Sequence, residues 1–175
     1  LLPSEALYKK NVLVARGRFR PVTNVSVDMS KCAKEEFMKH RGVNEDNTIF
    51  LAEMSMAAES LHGDINLEDF LTRADMLCSL GYKVIISNYL RFFTLRAYLN
   101  RLTKKRLGIV LSVPNIIDIF DERFYEGMDG GILEACGKLF TSKTRLYVYP
   151  CVCLETGETI SADSLKVPDN LKHLY

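Results

Sequence analysis

The chain has 175 residues, 47% of them hydrophobic and 26% charged, with a net charge of +1. These values lie near the globular average and exclude a dominantly disordered chain. The balanced charge gives no global bias towards nucleic acid or an anionic membrane, and the longest wholly apolar runs, such as Leu107 to Leu111, fall far short of the ~20 residues of a spanning helix.

Residues 1–8 read as a loose lead-in, and Leu1-Leu2-Pro3-Ser4-Glu5 lacks the basic and apolar regions of a signal peptide. Val12 to Ala15 and the alternating Val22 to Val27 read as strands. Ser30 is expected to cap a helix running to about Arg41, with Ala33 and Phe37 inward and Gly42 as its stop. Thr48 to Ala52 reads as a buried strand, and residues 55–65 as a polar connection. Asn66, with Asp69 three residues on, has the pattern of a capping box. Leu67, Phe70, Leu71, Ala74, Leu77 and Cys78 then follow helical spacing up to Gly81.

Tyr82 to Ile86 is the next strand, Arg91 to about Thr103 a helix, and Leu107 to Val113 a further strand. Helices follow from Pro114-Asn115 and from Gly131 to Phe140, then a strand over Arg145 to Cys153. Glu155-Thr156-Gly157-Glu158 reads as a hairpin turn, and the tail with Pro168 as irregular or a short helix. Apolar strands alternating with amphipathic helices predict a three-layer α/β domain over residues 1–175. Its sheet is mainly parallel with helices on both faces, Rossmann-like or haloacid dehalogenase-like. Such a chain buries roughly 70% of its unfolded surface. Leu77, Ile85, Leu99, Ile109 and Leu139 are the expected deep core.

The five cysteines are odd in number and scattered. Cys78 and Cys136 fall on apolar helix faces, while Cys151 and Cys153 share a strand face without the further ligands zinc needs. Reduced thiols in a cytoplasmic protein are the plain account, and no metal site is expected. His40, His62 and His173 are dispersed and propose no Ser-His-acid triad.

Charge is segregated along the chain. Residues 9–41 hold nine basic and three acidic residues, 44–82 one and eight, 83–106 seven and none, and 118–134 one and six. Either solvated helix faces differ in sign, or two basic blocks converge on a basic mouth with an acidic rim. Ligands of open α/β sheets bind beyond the carboxyl ends of the strands, so the residues there are the candidates. Ser87 and Asn88 stand where a strand hands over to a helix whose N-terminus attracts anions, with Arg91 in support; the alternative is a simple helix cap. Arg16, Arg18 and Arg20 can clamp a phosphate or carboxylate, or lie exposed against the acidic blocks. Glu53 at a strand tip is the candidate general acid/base or divalent-cation ligand, with a solvated carboxylate as the alternative. Asp129-Gly130-Gly131 matches neither a P-loop nor a dinucleotide fingerprint.

A strand-end acidic segment, a helix, then a strand ending in Ser87-Asn88 resembles the layout of haloacid dehalogenase-like phosphatases. That resemblance implies a family lysine at Lys104 or Lys105. However, Glu53-Met54-Ser55 stands where the family has D-x-D. A resemblance over nearly the whole chain is carried by Leu7 to Lys10, Val12 to Val14, Arg16-Gly17, Phe19 to Thr23, Ile86 to Tyr89, Gly130 to Glu134 and Leu146 to Pro150. These segments look like the C-terminal part of larger, cytoplasmic, functionally uncharacterised bacterial proteins. Members carry the labels nicotinate-nucleotide adenylyltransferase or TonB-dependent receptor. The first needs an H-x-G-H type motif, and this chain has no His-x-x-His; the second needs a membrane β-barrel. The resemblance implies a longer protein with an N-terminal half ahead of Leu1.

The expected function is that of an enzyme domain for a phosphate- or nucleotide-bearing small molecule, its site at the strand carboxyl ends. The alternative is a non-catalytic docking or oligomerisation domain. Partners follow accordingly: a phosphorylated small molecule, the N-terminal region of the same protein or a second copy, with neither nucleic acid nor membrane. No cofactor is indicated. A concave, basic strand-end cleft favours the first reading, and a flat, apolar strand-end surface the second.

Overall fold

The computed structural model describes residues 3–153 and 156–165. A short helix α1 (Pro3–Leu7) leads into strand β1 (Asn11–Arg16). Helix α2 (Asn24–Met38), strand β2 (Thr48–Ser55), helices α3 (Met56–Ser60) and α4 (Leu67–Ser79) and strand β3 (Lys83–Ser87) follow. The chain continues through α5 (Phe92–Leu102), β4 (Leu107–Ser112), α6 (Val113–Ile119), α7 (Gly131–Leu139) and β5 (Thr144–Tyr149). A small ladder of β6 (Cys151–Val152) and β7 (Thr159–Ile160) completes the described part.

β1 to β5 form one sheet in the order β3-β2-β1-β4-β5, every neighbouring pair parallel. Two apolar layers cover its two faces. On one face Leu13 and Val110 pack with Ala33 and Phe37 of α2, while Ala52 and Met54 pack with Phe70, Ala74 and Leu77 of α4. On the other, Val12, Val14, Leu51, Ile109 and Leu111 pack with Leu95 and Leu99 of α5 and with Ile132, Cys136 and Leu139 of α7. The fold is therefore three-layer α/β, as the alternating pattern requires. Gly108 in β4 allows close packing: a Cβ there would meet the Leu13 side chain at 2.6 Å and the Phe37 ring at 3.0 Å.

Leu77, Leu99, Ile109 and Leu139 are buried as expected, whereas Ile85 is only half-buried. β3 is an edge strand, so its outward-leaning residues have a neighbour on one side alone. Asn66 caps α4 as expected, its side chain accepting from the Asp69 backbone N–H; Ser112, expected inside a strand that runs to Val113, is also the N-cap of α6, whose first turn holds Pro114.

Other expectations need correction. Val22 to Val27 is not a strand. Thr23 caps α2 by accepting from the Ser26 backbone N–H, and Val25 and Val27 point outward, 56% and 43% exposed. Ser30 is consequently internal to α2, its hydroxyl donating to the Ser26 carbonyl. The connection after β2 contains α3, capped by the Ser55 side chain. The expected strand over 145–153 breaks at Pro150, which has no N–H for a ladder, and its end pairs antiparallel with β7 instead. Cys78 is exposed rather than packed. Gly157 takes a φ of 72° as the turn requires; Glu155, the tail and His173 lie outside the described residues. No helix among the described residues is long and apolar enough to cross a membrane.

Candidate functional site

The two ends of the sheet differ. At the amino ends, the Asn11 amide donates to the Asn47 side-chain oxygen at 2.9 Å, and its own oxygen accepts from the Arg106 backbone N–H at 3.1 Å. Thr103 Oγ1 donates to the Lys10 carbonyl at 2.5 Å. Polar bonds tie the strands together there. At the carboxyl ends a cleft of about 450 Å³ opens instead. Its wall runs from Arg16-Gly17-Arg18 after β1, past Ser55 and the link into α5, to Ser112 and Asn115 after β4. β2 lies on one side of β1 and β4 on the other, so the winding reverses here. That crevice is the usual ligand position of an open α/β sheet.

Beside the cleft lies a buried charge pair. The register sets Arg16 opposite Glu53, so both side chains leave the same face of the sheet. Arg16 Nε donates to Glu53 Oε2 at 2.5 Å and Arg16 Nη2 to Oε1 at 3.0 Å. Ser87, at the end of β3, donates to Oε1 as well. Glu53 is wholly inaccessible and the Arg16 side chain 9% exposed. The same guanidinium donates to the Tyr89 and Leu90 carbonyls, each at 2.8 Å, and lies 4.8 Å from the centre of the Phe92 ring.

A second cluster gathers around Glu59 of α3. Arg73 of α4 donates to its Oε1 at 3.1 Å, and Arg18 and Arg20 reach it at 3.3 and 3.5 Å. Arg73 and Arg20 also contact Asp69. A Cβ on Gly17 would meet the Phe19 ring at 3.0 Å. Glycine there lets Phe19 fold back onto the cluster of α4, which turns Arg18 and Arg20 towards Glu59. Burial pushes the Glu59 carboxyl up, but hydrogen bonds from Arg18 and Arg73 outweigh it and hold the group below its ordinary value. A carboxyl depressed in the folded state adds stability above its unfolded pKa, and this is lost as pH falls through the folded value. The melting temperature should therefore drop below about pH 4.5. Glu59→Gln should be less stable at neutral pH and fall more shallowly in acid; parallel slopes in thermal melts would remove Glu59 from the acid response.

Of the residues expected at the site, Arg16 and Arg91 line the cleft. Glu53, Ser87, Asn88 and Arg20 are not among the described residues that do. Glu53 and Ser87 lie buried in the pair with Arg16, Asn88 is exposed, and Arg20 is half-exposed on the Glu59 cluster. With both oxygens engaged, Glu53 serves as the counter-charge of Arg16. The N-terminus of α5 is not at Ser87-Asn88: the N-cap is Arg91, with no side-chain capping bond. Arg91 is half-buried, its guanidinium 4.2 Å from the centre of the Phe124 ring. The segment Glu53-Met54-Ser55 ends β2, whereas the central strand β1 ends at Arg16 and is followed by Gly17-Arg18. Lys104 and Lys105 precede β4, at the opposite end of the sheet from the cleft.

The cleft also holds residues outside the sequence-based site: His62, Asp118, Phe124 and Tyr125. Asp118 is raised above its ordinary value by partial dehydration and by the neighbouring Asp121, with Arg91 opposing. Tyr125 donates to the Ile119 carbonyl at 2.9 Å, and burial pushes its hydroxyl up to about 12. Ser112, Asn115 and Asp118 recur at a spacing of three along α6, a helical signal readable once β4 is recognised as a strand. Phe124 and Tyr125 lie in a single 3-10 turn, Glu122–Tyr125, too short to carry such a signal. Among the described residues no group of three His, Cys, Asp or Glu side chains is placed to hold a metal ion. Comparison with protein-family models, with curated proteins and with solved structures returned no match.

Proposed function

We propose that the chain is a Rossmann-like enzyme domain that takes a phosphate- or nucleotide-bearing small molecule in the cleft at the strand ends. The observation that carries this reading is the charge of a concave site. Four guanidinium groups, Arg16, Arg18, Arg73 and Arg91, line it; Glu53 neutralises Arg16, and Glu59 and Asp69 pair with Arg18 and Arg73, which leaves Arg91, near Asp118, as the cation turned to the ligand. Arg91 makes no salt bridge among the described residues, and its planar group is suited to bidentate contact with an oxyanion. Phe92 and Phe124 supply an apolar wall for the body of the ligand. Asp118, with its raised pKa, is the cleft group suited to carrying a proton. The five free cysteines fit a reducing compartment, and we place the domain in the cytoplasm.

Calorimetric titration with inorganic phosphate and with adenosine nucleotides at low salt tests the reading. Saturable binding is expected, weakened by about 1–3 kcal/mol in Arg91→Ala, the scale of a lost charge-assisted hydrogen bond. Lys105→Ala, exposed and remote, is the control. Absence of saturable binding, or an equal loss in the control, overturns it. The docking alternative is favoured by Leu67, Leu71 and Leu80, 57%, 49% and 55% exposed along α4 and its end, and would show as self-association in sedimentation.

A further inference from the structure

We infer that the buried Arg16–Glu53 pair is the positioning element of the cleft: it fixes the chain at residues 89–91 so that Arg91 stands where the anion of the ligand is received. The inference rests on the anion-binding reading above and assigns Arg16 and Glu53 a part in it without requiring Glu53 to touch ligand.

The argument starts from what a buried ion pair does and does not supply. Burying two charges costs several kcal/mol, and apolar residues of similar volume often do as well for stability. What the charges add at this place is direction. A guanidinium presents five N–H groups in one plane. Arg16 directs two of its bonds at Glu53 and two at the consecutive carbonyls of Tyr89 and Leu90, more than 70 residues away in the chain. Two successive carbonyls held by one rigid fork fix two peptide planes, and with them the direction in which the next residue, Arg91, leaves the backbone. Ser87 closes the arrangement from the other side, donating to Glu53 while accepting from the Tyr89 N–H at 3.3 Å. Ser55 donates to the Tyr89 carbonyl at 2.8 Å. Residues 88–91 lie between β3 and α5 and belong to neither ladder nor helix; these bonds hold the Tyr89 and Leu90 peptides, while the Arg91 carbonyl accepts from the Leu95 N–H and the Thr94 hydroxyl and joins the segment to α5.

The choice of arginine follows from the same geometry. A lysine at position 16 would keep the charge opposite Glu53, but its donors radiate from one nitrogen and cannot span a carboxylate and two carbonyls together. Glu53 in turn is needed to hold the guanidinium in plane, for neither Tyr89 nor Leu90 carries a counter-charge. Leu90, Arg91 and Phe92 all line the cleft, so any rotation of this segment changes its wall.

A double-mutant cycle on the full chain tests this, with inorganic phosphate and AMP as probes. Arg16→Lys should weaken probe binding by about tenfold, mid-range for residues coupled in one network, while the protein still melts cooperatively. Because Arg16 acts through Arg91, the double variant Arg16→Lys/Arg91→Ala should bind no more weakly than the weaker single variant. Losses that multiply would overturn the positioning role. Ser87→Ala serves if Arg16→Lys does not fold. Ser87 does not line the cleft, so a loss of affinity there that is non-additive with Arg91→Ala must pass through the network, and unchanged affinity counts against it. If the wild-type chain binds neither probe, the anion-site reading fails, and hydrogen exchange still decides the positioning. The Tyr89 amide, whose N–H is bonded to Ser87 Oγ, should exchange at least about tenfold faster in Arg16→Lys while those of β1 and β2 are unaffected. Equal protection in variant and wild type would overturn the inference by itself.

Discussion

Glu53→Gln is expected to lower the unfolding free energy by about 3–5 kcal/mol, the largest effect of any polar substitution in the sheet. The replacement keeps the shape of the side chain, so no cavity opens. What remains is a guanidinium 9% exposed, facing a neutral amide. Arg16→Met/Glu53→Leu, which removes both charges together, should recover most of that loss, because neither charge is then stranded. Urea unfolding of the three proteins measures both quantities. A loss under about 1 kcal/mol for Glu53→Gln, the scale of an exposed pair, would mean that water reaches the carboxylate.

Leu77→Ala is the second large effect. Leu77 is fully buried among Ala52, Met54, Phe70 and Ala74. Removing its branched end forfeits burial and leaves a cavity between α4 and the sheet, which together cost about 2–5 kcal/mol. Leu71→Ala, on the exposed side of the same helix, should change stability little. A thermal melt of Leu77→Ala that matches wild type would mean that α4 turns another face to the sheet.

The layered architecture was legible because its signals are long and periodic. Leu67 to Cys78 contains more than three turns of amphipathic helix with a side-chain cap, and β4 is apolar from Leu107 to Leu111 as a doubly covered strand must be. Val22 to Val27 misleads for a physical reason. Alternating valines mark a strand only when one face is buried, and here Val25 and Val27 sit in the first turns of a helix facing water. The cap at Thr23 is the opposing signal, and it prevails because the side-chain bond satisfies a helix N–H that a strand would leave to an absent neighbour.

The candidate site was legible in part. The rule that ligands sit at strand ends finds Arg16 and Arg91, since both directly follow or closely succeed a strand. It cannot tell a residue that faces the cleft from one that supports it. Glu53, Ser87 and Arg16 lie within a few residues of three strand tips, and only the parallel register shows that the first two turn inward to the third. Phe124 reaches the cleft from a single 3-10 turn after α6, and its place depends on how that turn folds back, which no local periodicity encodes.

β1 comes first in chain order among the five strands of this sheet, yet it occupies the middle. Its backbone pairs with β2 from Thr48 onward and with β4 from Leu107 onward. A ribosome must therefore add some ninety further residues before the second edge of β1 finds its native neighbour. Until then Val12, Leu13 and Val14 present an open row of N–H and C=O groups, a template for strands of other chains. The chain brackets that row with like charges, Lys9 and Lys10 before it and Arg16, Arg18 and Arg20 after it. Charges flanking an apolar strand act as gatekeepers against intermolecular addition. The arginine run that shapes the cleft in the finished protein thus also guards the nascent strand against aggregation.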